Sequence, residues 1–385
     1  MNSNETTKNI IDVIEEFDYS TQNEKYNECF REWRKRKNNR YSFNFKKDQR
    51  ERVYVDGRGF IEKSCKNAEI KTLTNIFHTL GYASLMWILF EDVISKLLIY
   101  LLEFLGMNIH TSFITKTISG GCREVASVVI LTNTLKIILP TIYLNMKFKT
   151  PKKIACMSSM NNPSALIGSI SAAFILSVVI TLPSAFSTKT REVISFFGSA
   201  TTELSIWDQS EFIIFTIFDM LVIPILTQLL FCGAAFAVLR QFGDVFAMFI
   251  TSLSMAVLTQ DFRNMPAVFI IALIGCCGMI TSGSIFTPIA VNIIFKMYQT
   301  TIVLIETDSS ENMPIIRNLF MAGLVVIGTL GLIYFRLYTK KHPLRLARYN
   351  GEMSFVQRNY QALKIFPFST VAMLSVLCAI MWVLV

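Results

Sequence analysis

The sequence predicts an all-α, polytopic helical membrane protein with about nine (8–9) transmembrane helices and a small cytosolic N-terminal region. Of its 385 residues, 52% are hydrophobic. Charged residues make up only 17%, against about 25% in a typical soluble domain. Apolar runs of roughly 20 residues, the length that crosses a bilayer, recur from residue 74 to the end.

Shifts in composition divide the chain into four parts. We expect residues 1–73 to form the soluble cytosolic region and residues 74–210 to form the N-terminal transmembrane helices. Residues 211–305 contain a core of four helices, and residues 306–385 contain the C-terminal helices with a basic cytosolic loop. Each boundary lies where polar, charged sequence meets an apolar run.

The N-terminal region contains the basic stretch FREWRKRKNNRYSFNFKKDQR, followed by a predicted hairpin around Asp56-Gly57. We interpret the basic stretch as a juxtamembrane segment held against anionic lipid on the cytoplasmic side. Docking to a protein or to nucleic acid is the alternative for this stretch. We expect no nucleic-acid partner, because the net charge of +9 belongs to loops beside a membrane.

The loop charges indicate how the chain is oriented. The basic loops MKFKTPKK and RLYTKKHPLRLARYNGEMSFVQRNYQALK fall on the cytoplasmic side if the chain crosses nine times, as does the N-terminus, and the acidic ETDSSEN falls outside. Glu91 and Asp92 lie midway in the first run, which is therefore predicted to be tilted, broken or partly interfacial. The nine runs cover residues 76–106, 124–146, 163–186, 211–240, 242–259, 265–281, 284–305, 314–338 and 366–385.

The core carries a recurring frame of Pro, Gly and small residues. Pro224 precedes TQLLFC and Gly233 follows it. Leu239-Arg240 and Gly243 form the next turn, and SLSMAVLT and SGSIFTPIAVNIIFK follow. Over roughly 80 residues this frame resembles the CAAX-protease and bacteriocin-processing (CPBP, or Abi) intramembrane peptidases, whose helices carry Glu-Glu-x-x-x-Arg, Phe-x-x-x-His and His-x-x-x-Asn.

The resemblance implies a helical peptidase fold whose catalytic residues have been replaced. The family's Glu-Glu pair and Arg fall on Thr227, Gln228 and Cys232. Its first His falls on Thr259, and its second His and the following Asn fall on Asn292 and Lys296. The changed positions are therefore Thr227, Gln228, Cys232, Thr259, Asn292 and Lys296.

These replacements predict a catalytically inactive member of the family. A general base must accept a proton, and neither Gln nor Thr does so usefully. The three His of the chain lie outside the core, so we expect no zinc site, no cofactor and no base for a Cys232 nucleophile. The alternative is an unrelated helical bundle in which Thr, Gln and Cys are interhelical hydrogen-bond partners.

Lys136, Asp219 and Lys296 also lie inside apolar runs, where charges usually have a function. We expect Lys296 to hydrogen-bond with Asn292 and Gln228, or else to extend to the interface. Lys136 is expected to pair with Asp219 or Glu91. Asp219 lies about 12 Å along the helix from Thr227 and is not expected to replace the lost carboxylates.

The leading functional hypothesis is a non-catalytic membrane scaffold or regulator that binds a membrane protein or peptide in the former substrate groove, with membrane lipid as its surroundings. An endopeptidase with a relocated catalytic set and a transporter or permease component are the alternatives. We expect a multi-pass protein of a bacterial cytoplasmic membrane. The resemblance also predicts that Gln228, Thr259 and Asn292 converge on one cavity.

Overall fold

Helices make up most of the protein in the computed structural model. The helical fold and the apolar helices agree with the predicted all-α membrane protein. The structure describes residues 10–14, 24–48, 53–55, 59–61, 65–111, 118–156, 160–181, 209–261, 264–307, 312–339, 346–347, 349 and 351–384.

Short strands pair as two-stranded antiparallel sheets in the described ranges. The pairing of β3 with β4 confirms the predicted hairpin, although its turn, residues 56–58, lies outside the described residues. The pairs are β1 (Ile10–Asp12) with β2 (Lys46–Asp48), β3 (Val53–Val55) with β4 (Gly59–Ile61), and β5 (Ile109–Thr111) with β6 (Ile118–Gly120).

The helices follow the predicted apolar runs closely, and π-helical turns interrupt two of the long ones. The first half contains α1 (Glu24–Lys35), α2 (Cys65–Ile88), the π-helical turn Leu89–Ile94, α3 (Ser95–Phe104), α4 (Cys122–Phe148), α5 (Lys152–Cys156) and α6 (Pro163–Thr181). The second half contains α7 (Gln209–Ile217), the π-helical turn Phe218–Val222, α8 (Ile223–Gln228), the π-helical turn Leu229–Phe236, α9 (Ala237–Leu239), a 3₁₀ turn (Arg240–Phe242), α10 (Asp244–Leu258), α11 (Met265–Ser282), α12 (Phe286–Thr307), α13 (Met313–Thr339), α14 (Phe355–Lys364) and α15 (Phe368–Leu384).

Within the described residues, five helical segments are long and apolar enough to cross a membrane, and a bent pair brings the number to six. Helix α10 has 15 residues, fewer than the roughly 20 that span a bilayer. Helix α12 contains Asn292, Lys296 and Gln299, which lower its hydropathy. The segments are Arg123–Phe148, Pro163–Ile180, Ile213–Phe242, Met265–Ser282 and Pro314–Thr339, and the pair, bent by 80°, is Phe355–Lys364 with Phe368–Cys378.

The long helices pack in two neighbouring groups. Helices α6, α11, α12 and α13 contact one another, while α2 packs on α4 and α15, and the Leu229–Phe236 turn packs on α4 and α10. Small residues allow close approach: a Cβ at Gly328 of α13 would lie 2.7 Å from Cγ1 of Ile175 on α6. Such contacts between small residues are the usual basis of helix association in membranes.

Helix α1 and the loop that follows it pack against the core rather than forming a separate body. Helix α1 buries Tyr26, Phe30 and Trp33, whose spacing places them on one helical face. The Trp33 indole donates to the carbonyl of Phe148 at the end of α4 (3.0 Å), and the backbone N–H of Phe43 donates to Oε1 of Gln241 (2.7 Å).

A buried ion pair lies where α9 turns into α10. Nε of Arg240 donates to Oδ1 of Asp244 at 2.6 Å, and both side chains are fully buried. Asp244 also accepts from the backbone N–H of Ala347 (2.8 Å), and Arg240 donates to the Tyr26 hydroxyl (3.3 Å). Burial raises the pKa of Tyr26 above its ordinary value, although the Arg240 charge opposes this shift. The pair thus connects N-terminal, core and C-terminal segments.

Candidate functional site

A polar cavity of about 280 Å³ lies among the long helices. Helices α4, α8, α10, α11 and α12 contribute to its wall, as do the three π-helical turns Leu89–Ile94, Phe218–Val222 and Leu229–Phe236. Its polar lining consists of Glu91, Asn133, Lys136, Asp219, Thr227, Thr259, Asp261, Asn264, Asn292, Lys296 and Gln299.

Four of the six positions carried over from the peptidase resemblance meet at this cavity. They are Thr227, Thr259, Asn292 and Lys296. The expected convergence therefore holds for Thr259, which follows the last residue of α10, and for Asn292 on α12. It is wrong for Gln228, which does not line the cavity, and Cys232 is also absent from the lining.

Gln228 lies inside the helix packing, with 3% of its surface exposed. Its Oε1 accepts from Sγ of Cys232 at 2.9 Å, and its Nε2 lies 4.0 Å from Sδ of Met255. Cys232 in turn lies 3.8 Å from Cys276, sulfur to sulfur. Neighbouring residues on a helix point about 100° apart, so Thr227 faces the cavity while Gln228 faces the core.

An ion pair on one wall joins α4 to the first π-helical turn. Nζ of Lys136 lies 3.2 Å from Oε1 of Glu91, and these side chains are 15% and 26% exposed. The Trp87 indole donates to the other carboxylate oxygen at 2.9 Å, and the ammonium lies 5.2 Å from the Trp87 ring centre. Of the two partners expected for Lys136, the structure places Glu91 there.

A second ion pair joins α12 to the second π-helical turn. Nζ of Lys296 lies 3.3 Å from Oδ2 of Asp219, and these side chains are 36% and 29% exposed. The expectation that Lys296 bonds to Asn292 and Gln228 is wrong, because a carboxylate is the stronger partner for an ammonium group. Asp219 and Thr227 line the same cavity although they are separated along the chain.

Both paired carboxylates lie in π-helical turns. Glu91 belongs to Leu89–Ile94, and Asp219 belongs to Phe218–Val222. A π-helical turn accommodates an extra residue in the helix and changes the direction of the side chains that follow. Such turns are frequent at functional sites.

A third group of polar residues was not predicted from the sequence. Nδ2 of Asn264 donates to Oδ2 of Asp261 (2.9 Å), and Nε2 of Gln299 donates to Oδ1 of Asn264 (3.3 Å). The spacing of Gln299, three residues after Lys296, was the available signal, because residues three apart share a helical face. Asp261 and Asn264 lie in a short connection, where polar residues are ordinary.

Several lining groups are available to a ligand. In the described part of the chain, no protein hydrogen bond is made by the side chains of Asn133, Thr227 and Asn292, which line the cavity. Two amides and a hydroxyl provide donors and acceptors for peptide groups or other neutral polar groups. Among the described residues there is no group of three His, Cys, Asp or Glu side chains that would hold a metal ion.

No family model matches the chain, and no match was found among curated proteins or solved structures. The likeness to CPBP peptidases therefore remains a hypothesis based on the residue pattern.

Proposed function

We propose that this protein is a non-catalytic membrane scaffold or regulator that binds a segment of a membrane protein or peptide in its polar cavity. The observation that carries the proposal is the cavity itself, in which Asn133, Thr227 and Asn292 offer groups without protein partners. Polar groups facing an apolar environment are costly unless they are hydrogen-bonded. The backbone N–H and C=O groups of a peptide that leaves helical geometry also need hydrogen-bond partners, so such a peptide is complementary to these cavity side chains.

The absence of catalysis is part of the proposal. Thr227 and Asn292 occupy positions where the resembling family uses groups that handle protons. Glu91 and Asp219, two of the three carboxylates that line the cavity, each lie about 3 Å from a lysine ammonium group. In this reading the ion pairs fix the shape of the cavity, and Lys136 and Lys296 orient the bound segment.

The proposed topology has nine crossings in a bacterial cytoplasmic membrane, with the N-terminus in the cytoplasm. Two features support it. The basic residues 36–40 lie beside the basic end of α4, residues 147–149, so positive charge collects at one end of the helices. Among the described residues, each of the nine apolar runs also overlaps a helix, and five of these helices, or six with the bent pair, are long and apolar enough to cross a membrane. Cysteine labelling from each side of the membrane at Lys37 and at Asn312 tests this orientation.

Photo-crosslinking from inside the cavity tests the binding proposal. A photoreactive residue replaces Asn292 in one variant and Met297 in the control, which lies on the same helix and is 47% exposed outside the cavity. We expect Asn292 to give a discrete peptide or protein adduct that Lys296→Met weakens. Equal adducts at both positions, or only lipid adducts at Asn292, would contradict the proposal.

An intramembrane endopeptidase with a relocated catalytic set is the second candidate. The observation that favours it is the presence of Glu91, Asp219 and Asp261 in one cavity. Peptide termini from a deletion strain, compared with the strain carrying the wild type or Asp219→Asn with Asp261→Asn, discriminate the two candidates. A product that requires the wild type and disappears in the double variant would establish the enzyme.

A transporter or permease component is the third candidate. It is favoured by the two lysine–carboxylate pairs in one cavity, since ionisable groups within membranes mark substrate and ion pathways. Reconstitution into sealed liposomes tests it: wild-type-dependent proton or solute flux that Lys296→Met abolishes would favour transport over binding.

A further inference from the structure

A second cleft, of about 470 Å³, lies between the N-terminal region and the end of α4. It shares no lining residue with the polar cavity. Its volume far exceeds the roughly 30 Å³ of a water molecule, so it has room for a headgroup-sized ligand. Nη1 of Arg36 donates to the carbonyl of Lys149 at 3.2 Å, which connects the two walls.

The walls of this cleft are strongly cationic. Five basic side chains line it, and no Asp or Glu is among its described lining residues. No described carboxylate lies within ion-pair distance of these five groups. Like charges on the walls of one cleft repel one another, so this arrangement of basic side chains favours a bound anion. The five are Arg36, Lys37, Arg40, Lys147 and Lys149.

The floor of the cleft is aromatic. Trp33, Tyr41 and Phe148 are buried, and Tyr41 packs edge-on against Phe148 with ring centres 5.0 Å apart. Asn39 donates to the Trp33 carbonyl at 2.9 Å and accepts from the backbone N–H of Tyr41 at 3.2 Å. These bonds connect the loop that carries Arg36, Lys37 and Arg40 to the end of α1.

The position of the cleft favours a membrane lipid as the source of an anion. It lies at the end of α4, a segment long and apolar enough to cross the membrane. Directly before the basic end, Met146 is 69% exposed and Ile142 is 48% exposed. A lipid with its phosphate among the cations would place its acyl chains along this apolar surface. Basic pockets at the cytoplasmic ends of transmembrane helices are typical sites for anionic headgroups.

We propose that this cleft is a specific binding site for the phosphate headgroup of one anionic phospholipid, which holds the N-terminal region to the end of α4. The phosphate oxygens accept from the ammonium and guanidinium groups, and Arg36 and Arg40 offer paired donors. The site does not depend on what the polar cavity binds.

Native mass spectrometry of the full-length protein in detergent, titrated with phosphatidylglycerol or with phosphatidylcholine, tests the proposal. The cleft variant is Lys37→Gln with Lys147→Gln, because neither side chain donates a hydrogen bond to the protein among the described contacts. The matched control is Lys152→Gln with Lys153→Gln, which removes the same charge from exposed positions outside the cleft.

We expect the cleft variant to bind phosphatidylglycerol about 30-fold more weakly, because each cation beside an anionic lipid contributes a factor of about five. The control should stay within about threefold of the wild type. Far-UV circular dichroism and elution volume check that both variants fold. Equal losses in both variants, or no preference for phosphatidylglycerol over phosphatidylcholine, would overturn the proposal. Displacement of the lipid by an equal concentration of soluble glycerol phosphate would reassign the cleft to a soluble phosphate ester.

Discussion

Replacing Lys296 by Met would remove one partner of the ion pair that closes one wall of the cavity. The 3.3 Å between Nζ of Lys296 and Oδ2 of Asp219 corresponds to a gross attraction of roughly 5 kcal/mol at an effective dielectric constant of about 20. Desolvation and side-chain entropy offset most of it, and about a third of each side chain is exposed to the cavity. We expect a net loss of about 1–2 kcal/mol.

A double-mutant cycle with Asp219→Asn measures this coupling. Unfolding is followed in mixed micelles by titration with a denaturing detergent. The double variant should recover about 1 kcal/mol relative to the sum of the single losses, because it leaves no unpaired charge. The Lys136–Glu91 cycle provides the comparison and should show stronger coupling, since those side chains are less exposed. Additive losses for Lys296 and Asp219 would refute the ion pair.

Three further predictions concern stability. Gly328→Ala should lower the stability by about 1–3 kcal/mol, because its methyl group would press against α6. Gly323→Ala on the same helix has no neighbouring atom within 4 Å of its Cβ position and should be neutral or stabilising by up to about 1 kcal/mol. Thermal unfolding compares the two variants, and equal changes in stability would contradict the packing of α13 on α6. Arg240→Met should lower the stability by about 3–5 kcal/mol because it leaves the buried Asp244 unpaired, and a change below about 1 kcal/mol would contradict the network. Burial raises the pKa of the Glu69 carboxyl above its ordinary value of 4.5, so the protonated carboxyl contributes its full stabilisation below pH 4.5 and this contribution is lost as the pH rises through the raised pKa. The melting temperature of Glu69→Gln should therefore increase relative to that of the wild type as the pH rises above 4.5. A difference in melting temperature that does not depend on pH would contradict this prediction.

Hydrophobic patterning predicted the long apolar helices, but not the polar helix α14 (Phe355–Lys364), which lies in the segment predicted as a basic loop. Runs such as 265–281 and 314–338 differ by a residue or two from Met265–Ser282 and Met313–Thr339, because a sustained apolar run of this length has no other stable form in a membrane. Patterning did not predict the π-helical turns. A π-helical turn depends on an extra residue in the hydrogen-bond ladder, which leaves no trace in hydropathy.

The site was predicted only in part, and the reason is geometric. Motif positions place residues along the chain, and they correctly grouped Thr259 with Asn292. They did not specify the rotation of each side chain, so Gln228 was assigned to the cavity although it faces Cys232. The pairing of Lys296 with Asp219 joins positions 77 residues apart, a contact that no local pattern encodes.

Accessibility of Thr227 and Gln228 tests the central claim most directly, since these neighbouring residues are assigned opposite environments. Each is replaced by Cys in a background in which the eight native Cys are Ser or Ala. A charged, water-soluble thiol reagent is then applied to membranes, and the labelling rate is measured. The account predicts that Thr227→Cys is labelled, that Lys296→Met changes its rate, and that Gln228→Cys stays unlabelled in the folded protein. Equal labelling at both positions, or labelling of Gln228→Cys alone, would contradict the polar cavity.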